Sequence, residues 1–451
     1  MHSDLEMLCG QLEAIVGKEH VAAGAARTAA FAVDGMLPEL VVQPGTQDEV
    51  SQVVAACAKA GAAMIPWGGG TAMGMGNAPV RAQVVLGTER LDRVVEWDPA
   101  NLVVSAEAGM RLGALQELVA KERLILPFDP PAAHRVTLGG LVAANQSGPA
   151  RLRYGTVRDW LLSLRVVLPS GERVHFGGRV IKNVSGYDMN KLFIRSMGTL
   201  GIITEVTFKL LPVPAQRAAL IGLFPDLGKA WEAARSVQAS FLLPEALDLL
   251  NPTAVDLLAP TLGLPAAPGT CALAAALAGN PETVEREARE LTARFEAAGG
   301  TALSLPNGQA APAWQSICNL LEGANPARIL CKITVPIART ADMVAAATQA
   351  GQAGGLRAAV TAHACTGVIW ARFLPGLEGG LGAPVPKVLE GLRKEAQDAG
   401  GSLVLHDAPP PLKRQVEAWG APGDGIDMMR RLKAEFDPRG LCNPGRFVGG
   451  I

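Results

Sequence analysis

The sequence predicts an α+β chain in two parts: a first domain built from two subdomains, and an α+β cap domain whose helices pack on an antiparallel sheet. Three observations predict it. Residues 41–76 read as strand, helix, strand and glycine loop. Residues 83–210 hold a series of short strand runs. At Pro212-Val213-Pro214 the texture changes to an Ala- and Leu-rich stretch in which amphipathic helices alternate with strand-like runs. The 451 residues leave room for two or three domains, and 49% hydrophobic against 18% charged residues marks a globular chain.

The elements follow in order. Leu40, Val41 and Val42 are strand-like, and Pro44-Gly45 turns the chain. Thr46 with Glu49 matches a capping box, Val50, Val53, Val54 and Cys57 recur at helical spacing, and Gly61 stops the helix. Ala62 to Ile65 is a buried strand running into Pro66-Trp67-Gly68-Gly69-Gly70-Thr71-Ala72-Met73-Gly74-Met75-Gly76. Gln83 to Leu86, Val94 to Trp97 and Leu102 to Ala106 are short strands, and Leu112, Leu115, Leu118 and Val119 share one helix face. After a rigid piece at Pro127 to Pro131 comes Thr137-Leu138-Gly139-Gly140. Leu162 to Leu168 and Glu172 to Phe176 form a hairpin about Pro169-Ser170-Gly171. From Ile202 to Leu210, alternation puts Ile202, Val206, Phe208 and Leu210 on one side. Beyond residue 215, helices are expected at Asp226 to Phe241, Pro281 to Ala298, Thr340 to Gln352 and Pro386 to Ala399. Strands are expected at Ala272 to Ala278, Arg328 to Val335 and Gly367 to Leu374, and a last helix at Met428 to Phe436. The division is residues 1–39, an N-terminal helical segment; 40–212, the first domain; 213–424, the cap; and 425–451, a segment returning to the first domain.

Several function classes are disfavoured. The 41 basic and 42 acidic residues nearly cancel, which gives no electrostatic reason to expect nucleic acid. No apolar run is long enough to span a bilayer. The acidic start (Met1 to Glu6) is unlike a leader, so a cytoplasmic location is expected. The seven cysteines are scattered and never spaced C-x-x-C, which argues against disulfides, zinc ribbons and iron–sulfur ligation.

The glycine loops carry the chemistry. Glycine lets backbone N–H groups crowd toward one anion because no Cβ blocks the approach. A Rossmann turn does not fit, since counting from Gly68 puts Met73 at its last glycine. A P-loop does not fit either, since Met75 stands where its lysine must be. Spacing alone leaves a phosphate cradle and a plain turn both open. The second loop opens a segment of small residues ending at Asn145-Gln146-Ser147-Gly148-Pro149, and its amides offer a second half of a diphosphate site at a short helix N-terminus. Both loops are read as following strands.

Here the residues resemble the vanillyl-alcohol-oxidase (PCMH-type) family of FAD-binding proteins. The matching stretches are Val42-Gln43-Pro44 through Gly70-Thr71; Pro130-Pro131 with Thr137-Leu138-Gly139-Gly140; and Tyr154-Gly155-Thr156-Val157-Arg158-Asp159. To these add Lys182-Asn183-Val184-Ser185-Gly186-Tyr187-Asp188 with Lys191, Gly198 and Gly201-Ile202-Ile203, and finally Phe436-Asp437-Pro438 with Asn443-Pro444-Gly445-Arg446. Within the family the chain is similar to D-2-hydroxyacid dehydrogenases and to the E-type FAD-binding subunit of glycolate oxidase. The resemblance implies a PCMH-type FAD domain, with the glycine loops (including Gly74, Ala144, Asn145, Ser147 and Gly148) on the FAD diphosphate and the stretch from Tyr187 to Val206 on the adenosine and ribityl side. Relatives with covalent FAD carry His or Cys in these loops. Thr71 stands in the first loop, Thr137 to Gly148 holds neither, and His134 lies just upstream, so the resemblance implies non-covalent FAD.

Oxidising a 2-hydroxy acid needs a hydride acceptor, a base and a cation for the carboxylate. Catalytic relatives carry a motif resembling H-A-G-D-G-N-L-H, often with a divalent metal. The matching stretch is His363-Ala364-Cys365-Thr366-Gly367-Val368-Ile369-Trp370, where the second histidine has become Trp370. One imidazole does not make a metal pair, so no metal is expected. His363, Arg328, Lys332 and Arg372 are the candidate catalytic or carboxylate-binding residues, and His406-Asp407 is a poor match for a second motif. The leading expectation is an FAD subunit moving electrons in an assembly with a catalytic FAD subunit and an iron–sulfur subunit. In that expectation the complex as a whole acts on glycolate or a similar 2-hydroxy acid, either free in the cytoplasm or held through its partners at the inner face of the membrane. The alternatives are a self-sufficient glycolate or D-lactate dehydrogenase and a non-catalytic scaffold.

Overall fold

The computed structural model describes residues 2–179, 186–305, 307–320, 322, 328–375 and 385–451, with the backbone alone at 2–3 and 307–308. The architecture is α+β, in three principal sheets. The first is mixed and four-stranded, in the spatial order Val21–Ala23, Leu40–Val42, Val84–Gly87, Met64–Trp67. Its three last strands run parallel, because the helix Gln47–Ala60 carries the chain across from Leu40–Val42 to Met64–Trp67. That helix starts as expected: Thr46 Oγ1 accepts the Glu49 N–H at 3.1 Å, while the Glu49 carboxylate reaches back one residue further than a standard box, to Gly45 N–H at 2.7 Å. Gly61, at φ 69°, ends it in the left-handed conformation that glycine adopts without a Cβ penalty. Its apolar face, Val50, Val53, Val54 and Cys57, meets Leu8 and Leu12 of the N-terminal helix His2–Val16.

The second sheet is antiparallel and five-stranded: Val94–Asp98, Val103–Glu107, Ile202–Lys209, Leu161–Val167, Arg173–Gly177. The expected hairpin is its last pair. One expectation is corrected. A register shift between Ile203 and Glu205 breaks the alternation, so Ile202 packs with Val167 against the first sheet, while Ile203, Val206, Phe208 and Leu210 fill the core under the second. The bulge thus lets one strand serve two cores, and it leaves Gly201, Ile202 and Ile203 at the junction between them.

The third sheet is antiparallel and eight-stranded: Thr301–Leu305, Gln216–Phe224, Cys271–Gly279, Ala246–Leu250, Leu356–His363, Val368–Pro375, Ile329–Thr334, Ser402–Asp407. The helices Leu227–Gln238, Pro281–Ala297, Thr340–Ala353 and Val385–Asp398 cover one face with a core that includes Leu273, Ala275, Leu277, Phe295 and Phe373. Pro252–Leu262 and Asn307–Asn319 lie on the other face, against Ala272, Ala274 and Ile221. Burial on both faces explains why Gln216–Phe224, Ala246–Leu250 and Leu356–His363 escape a reading by periodicity: a strand covered on both sides shows a continuous apolar run.

Beyond the edge strand Ser402–Asp407, the chain turns back onto the first sheet. Lys413, whose side chain is 0% exposed, pairs with Asp34 (5% exposed) at 2.7 Å and also donates to the Gly74 carbonyl. Burial pulls the lysine pKa down and pushes the aspartate up, opposed by their mutual attraction. Removing one partner strands the other charge in the interior. Lys413→Met is therefore expected to lower unfolding free energy in urea by about 3–5 kcal/mol. Lys413→Met combined with Asp34→Leu should recover most of that loss, because no buried charge is then left alone.

Candidate functional site

The two glycine loops meet. The first leaves the strand Met64–Trp67, and the second caps the helix Leu138–Ala144. Thr137 Oγ1 accepts N–H groups from both, from Gly69 at 3.3 Å and from Gly140 at 3.4 Å. The contact is close enough that a Cβ at Gly68 would overlap the Thr137 hydroxyl and one at Gly69 the Arg135 carbonyl. The second loop follows a turn at residues 131–135 rather than a strand, which corrects that expectation.

Between the loops lies a cavity of about 730 Å³. From the expected set it is lined by Pro66, Trp67, Gly68, Gly69, Gly70, Thr71, Ala72, Met73, Gly139, Gly140, Ala144, Gly198, Gly201, Ile202, Ile203, Asn443 and Arg446. Sequence reasoning missed Met75, Thr88, Ala143 and Met197, which are apolar or small and carry no local signal. Gly70, Thr71, Ala72 and Met73 give their backbone N–H to no acceptor among the described residues. Carbonyl oxygens of the same loop are held by buried cations: Arg446, 2% exposed, donates to Met73 O and to Met75 O (2.9 Å), and Lys413 to Gly74 O. Asn443 Oδ1 and Arg446 Nε are buried without a partner. Tethered carbonyls with unused amides on the loop suit a diphosphate, and the residues therefore fit a dinucleotide.

The remaining expected residues lie elsewhere. Leu138 is core, and Thr137 is the joint itself. Gly74 packs against Asp407, and Gly148 against Asp129. Pro130 is buried beside that aspartate. Asn145 and Ser147 line an adjoining pocket. Tyr154 donates to Glu245 at 2.6 Å, and Asp159 closes a capping box with Thr156 beside Gly155. Arg158, Asp159, Gly186, Tyr187, Asp188 and Lys191 form a separate surface cleft in which Tyr187 is 95% exposed. The expected lining by the stretch from Tyr187 onward is thus corrected: it begins at Met197. Lys182 lies outside the described residues. His134 is exposed and lines no part of the cavity.

The adjoining pocket, about 820 Å³, shares Thr71, Met75 and Ala144 with the cavity. Its far wall comes from the eight-stranded sheet, with Leu330, Lys332, Trp370, Val404 and His406, and from Arg328 just before the strand Ile329–Thr334; Glu322 lines it too, as does Arg195 from the turn after the helix Asn190–Phe193. Burial, then the Arg195 and Arg151 charges, pull the Lys332 ammonium down to about 7. Burial, then Lys332 and Arg328, hold the His406 imidazole near 3, so it is neutral at pH 7. Arg328 is paired with Asp407.

His363 and Arg372 are not in this pocket. Asp248 Oδ1 meets His363 Nδ1 at 2.8 Å as a buried cross-strand pair, and Arg372 donates to the Leu320 carbonyl at 2.9 Å. Among the described residues no group of three His, Cys, Asp or Glu side chains is arranged for a metal ion, all seven cysteines are free, and no helix is long and apolar enough to cross a membrane.

Comparison with known proteins agrees with this geometry. Residues 38–177 match the model of an FAD binding domain, and residues 213–447 match that of the FAD linked oxidase C-terminal domain. The glycolate oxidase subunit GlcD of Bacillus subtilis is 28% identical over 421 residues, covering 91% of this chain and 89% of that protein. A D-lactate dehydrogenase of Anaerostipes hadrus is 28% identical over 425 residues, with the same coverage. Among solved structures, p-cresol methylhydroxylase shares the fold at a TM-score of 0.77 and 17% identity, covering 99% of this chain and 97% of its own.

The loop contact generates a prediction. Gly69→Ala forces the loops apart at the Arg135 carbonyl and is expected to weaken binding of the dinucleotide by about 10- to 100-fold, the scale of overpacking a close contact. Fluorescence titration of the apoprotein measures it. Thermal melting of the same apoprotein separates a local effect from loss of fold.

Proposed function

We propose that this chain, which belongs to the FAD linked oxidase family and is an FAD-dependent oxidoreductase, is the E-type FAD-binding subunit of a glycolate-oxidase complex. In this reading it relays electrons and leaves oxidation of the 2-hydroxy acid to a sister subunit. Bound FAD supplies the redox chemistry; the protein's own residues hold it, orient it and shield it. The loop amides receive the diphosphate, Arg446 and Lys413 fix the loop through its carbonyl oxygens, and Pro66, Trp67 and Ile203 give the cavity dry walls. Among the described residues no His or Cys lines the cavity, which supports non-covalent attachment.

One observation carries the choice of a relay. Of the two imidazoles that the resembling motif would supply, His363 is buried against Asp248 on the sheet face that also carries Trp370 but outside the pocket lining, and Trp370 fills the second position in the pocket wall. His406, the imidazole that does line the pocket, is held near 3, far from the operating pH at which a general base is effective. The cysteines lack cluster spacing, which supports iron–sulfur centres on another chain. A catalytic FAD subunit and an iron–sulfur subunit are the proposed partners, in the cytoplasm or held by them at the membrane's inner face. The cationic pocket favours a second reading, a self-sufficient D-2-hydroxyacid dehydrogenase for glycolate or D-lactate.

The purified chain is expected to show a flavin band that anaerobic glycolate and D-lactate leave unchanged, and acid precipitation should release the flavin to the supernatant. Bleaching by either acid would support the self-sufficient enzyme instead. Absence of a flavin band would support a scaffold, and flavin retained in the precipitate would contradict non-covalent attachment.

A further inference from the structure

Among the described residues, the pocket beside the cavity is lined by the cations Arg195, Arg328 and Lys332 and by one carboxylate, Glu322. Arg195, from the turn after the helix Asn190–Phe193, stands at its mouth, and Arg328 and Lys332 come from the opposite wall. Asp407, outside the lining, pairs with Arg328 and packs on Gly74, and Glu322 is the one acid among the described lining residues. Lys332 has no hydrogen-bond acceptor and no ion pair among the described residues. Its Nζ lies 5.3 Å from the centroid of the Trp370 ring, and the two residues are register partners on adjacent strands. The same indole packs edge-on against His406, with centroids 5.0 Å apart. A partly buried ammonium that faces an aromatic ring, a neutral imidazole and other cations is left without its natural counter-ion.

The donor set is also informative. A divalent metal needs several imidazole, thiolate or carboxylate donors turned to one point. Here the wall presents one imidazole, an indole and an ammonium, and the ammonium already sits where positive charge would be wanted. We propose that this pocket binds a small 2-hydroxy or 2-oxo monocarboxylate without a divalent metal, with the Lys332 ammonium, seated on the Trp370 face, supplying the positive charge and Arg195 closing over the carboxylate from the mouth. The inference rests on the reading of the adjoining cavity as the FAD site, which places the ligand beside the flavin. It does not depend on whether the bound acid is then oxidised.

The test uses the full-length holoprotein and 2-hydroxyisobutyrate, which has no hydrogen on C2 and so binds without turnover. Its amide, neutral and of similar shape, is the control. Calorimetry reads binding whether or not the flavin reports it. The acid should bind and the amide should not, and dialysis against EDTA should change the affinity by less than about twofold. Lys332→Met should weaken the acid by about 10- to 100-fold, the range for loss of one charged hydrogen-bond partner. Lys332→Arg should restore part of that loss, which a merely structural role for the side chain would not predict. FAD content of each variant, read from the flavin band, shows whether the fold persists. No binding by the unaltered protein, binding abolished by EDTA and restored by added zinc or magnesium, or wild-type affinity in Lys332→Met would each overturn the proposal. Bleaching of the flavin by glycolate would overturn the relay reading and leave this one standing.

Discussion

One hydroxyl joins the two halves of the candidate cofactor site. Thr137 Oγ1 accepts amides from Gly69 and from Gly140, residues about seventy positions apart, and so fixes the distance between two loops that would otherwise move independently. A dinucleotide held by backbone N–H groups needs those groups in place beforehand, because each one bonds well only in a narrow geometry. Side-chain-free residues on both sides permit the approach, and Thr137 holds it.

The second constraint acts on the loop's carbonyl oxygens. Arg446, from the C-terminal tail, and Lys413, from the segment after the eight-stranded sheet, bind carbonyl oxygens of residues 73–75, and Asp34 balances Lys413. These charges are buried, and each stays favourable only while its partners remain. The loop is therefore set by three distant parts of the chain, and Asp407, which packs on Gly74, pairs with an arginine of the adjoining pocket. The adjoining pocket and the cavity share one polar framework.

Much of this was legible in the sequence, for physical reasons. The capped helix Gln47–Ala60, the hairpin Leu161–Gly177 and the glycine loops announce themselves because turn chemistry and amphipathic period are local. The family resemblance placed most of the cavity lining. Three things were not legible. Strands buried on both faces, such as Gln216–Phe224, show no alternation. The bulge after Ile203 shifts register without a glycine or proline to mark it. Long-range charge pairs such as Lys413 with Asp34 join residues far apart in the chain, and neither has a local pattern. Likewise His363 carried the motif, yet the fold turned it onto Asp248, while Lys332, Trp370 and His406 came together in the pocket only through strand register and the sheet edge.

The claim that a clasped pair of amide-rich loops grips a diphosphate is tested most directly by competition on the apoprotein among FAD, ADP and riboflavin. If the loops bind the diphosphate, ADP displaces FAD, and riboflavin, which has no phosphate, binds at least about 100-fold more weakly than FAD, as expected from loss of two charge-assisted hydrogen bonds of about 1.5 kcal/mol each. Riboflavin binding as tightly as FAD, with ADP unable to compete, would contradict it.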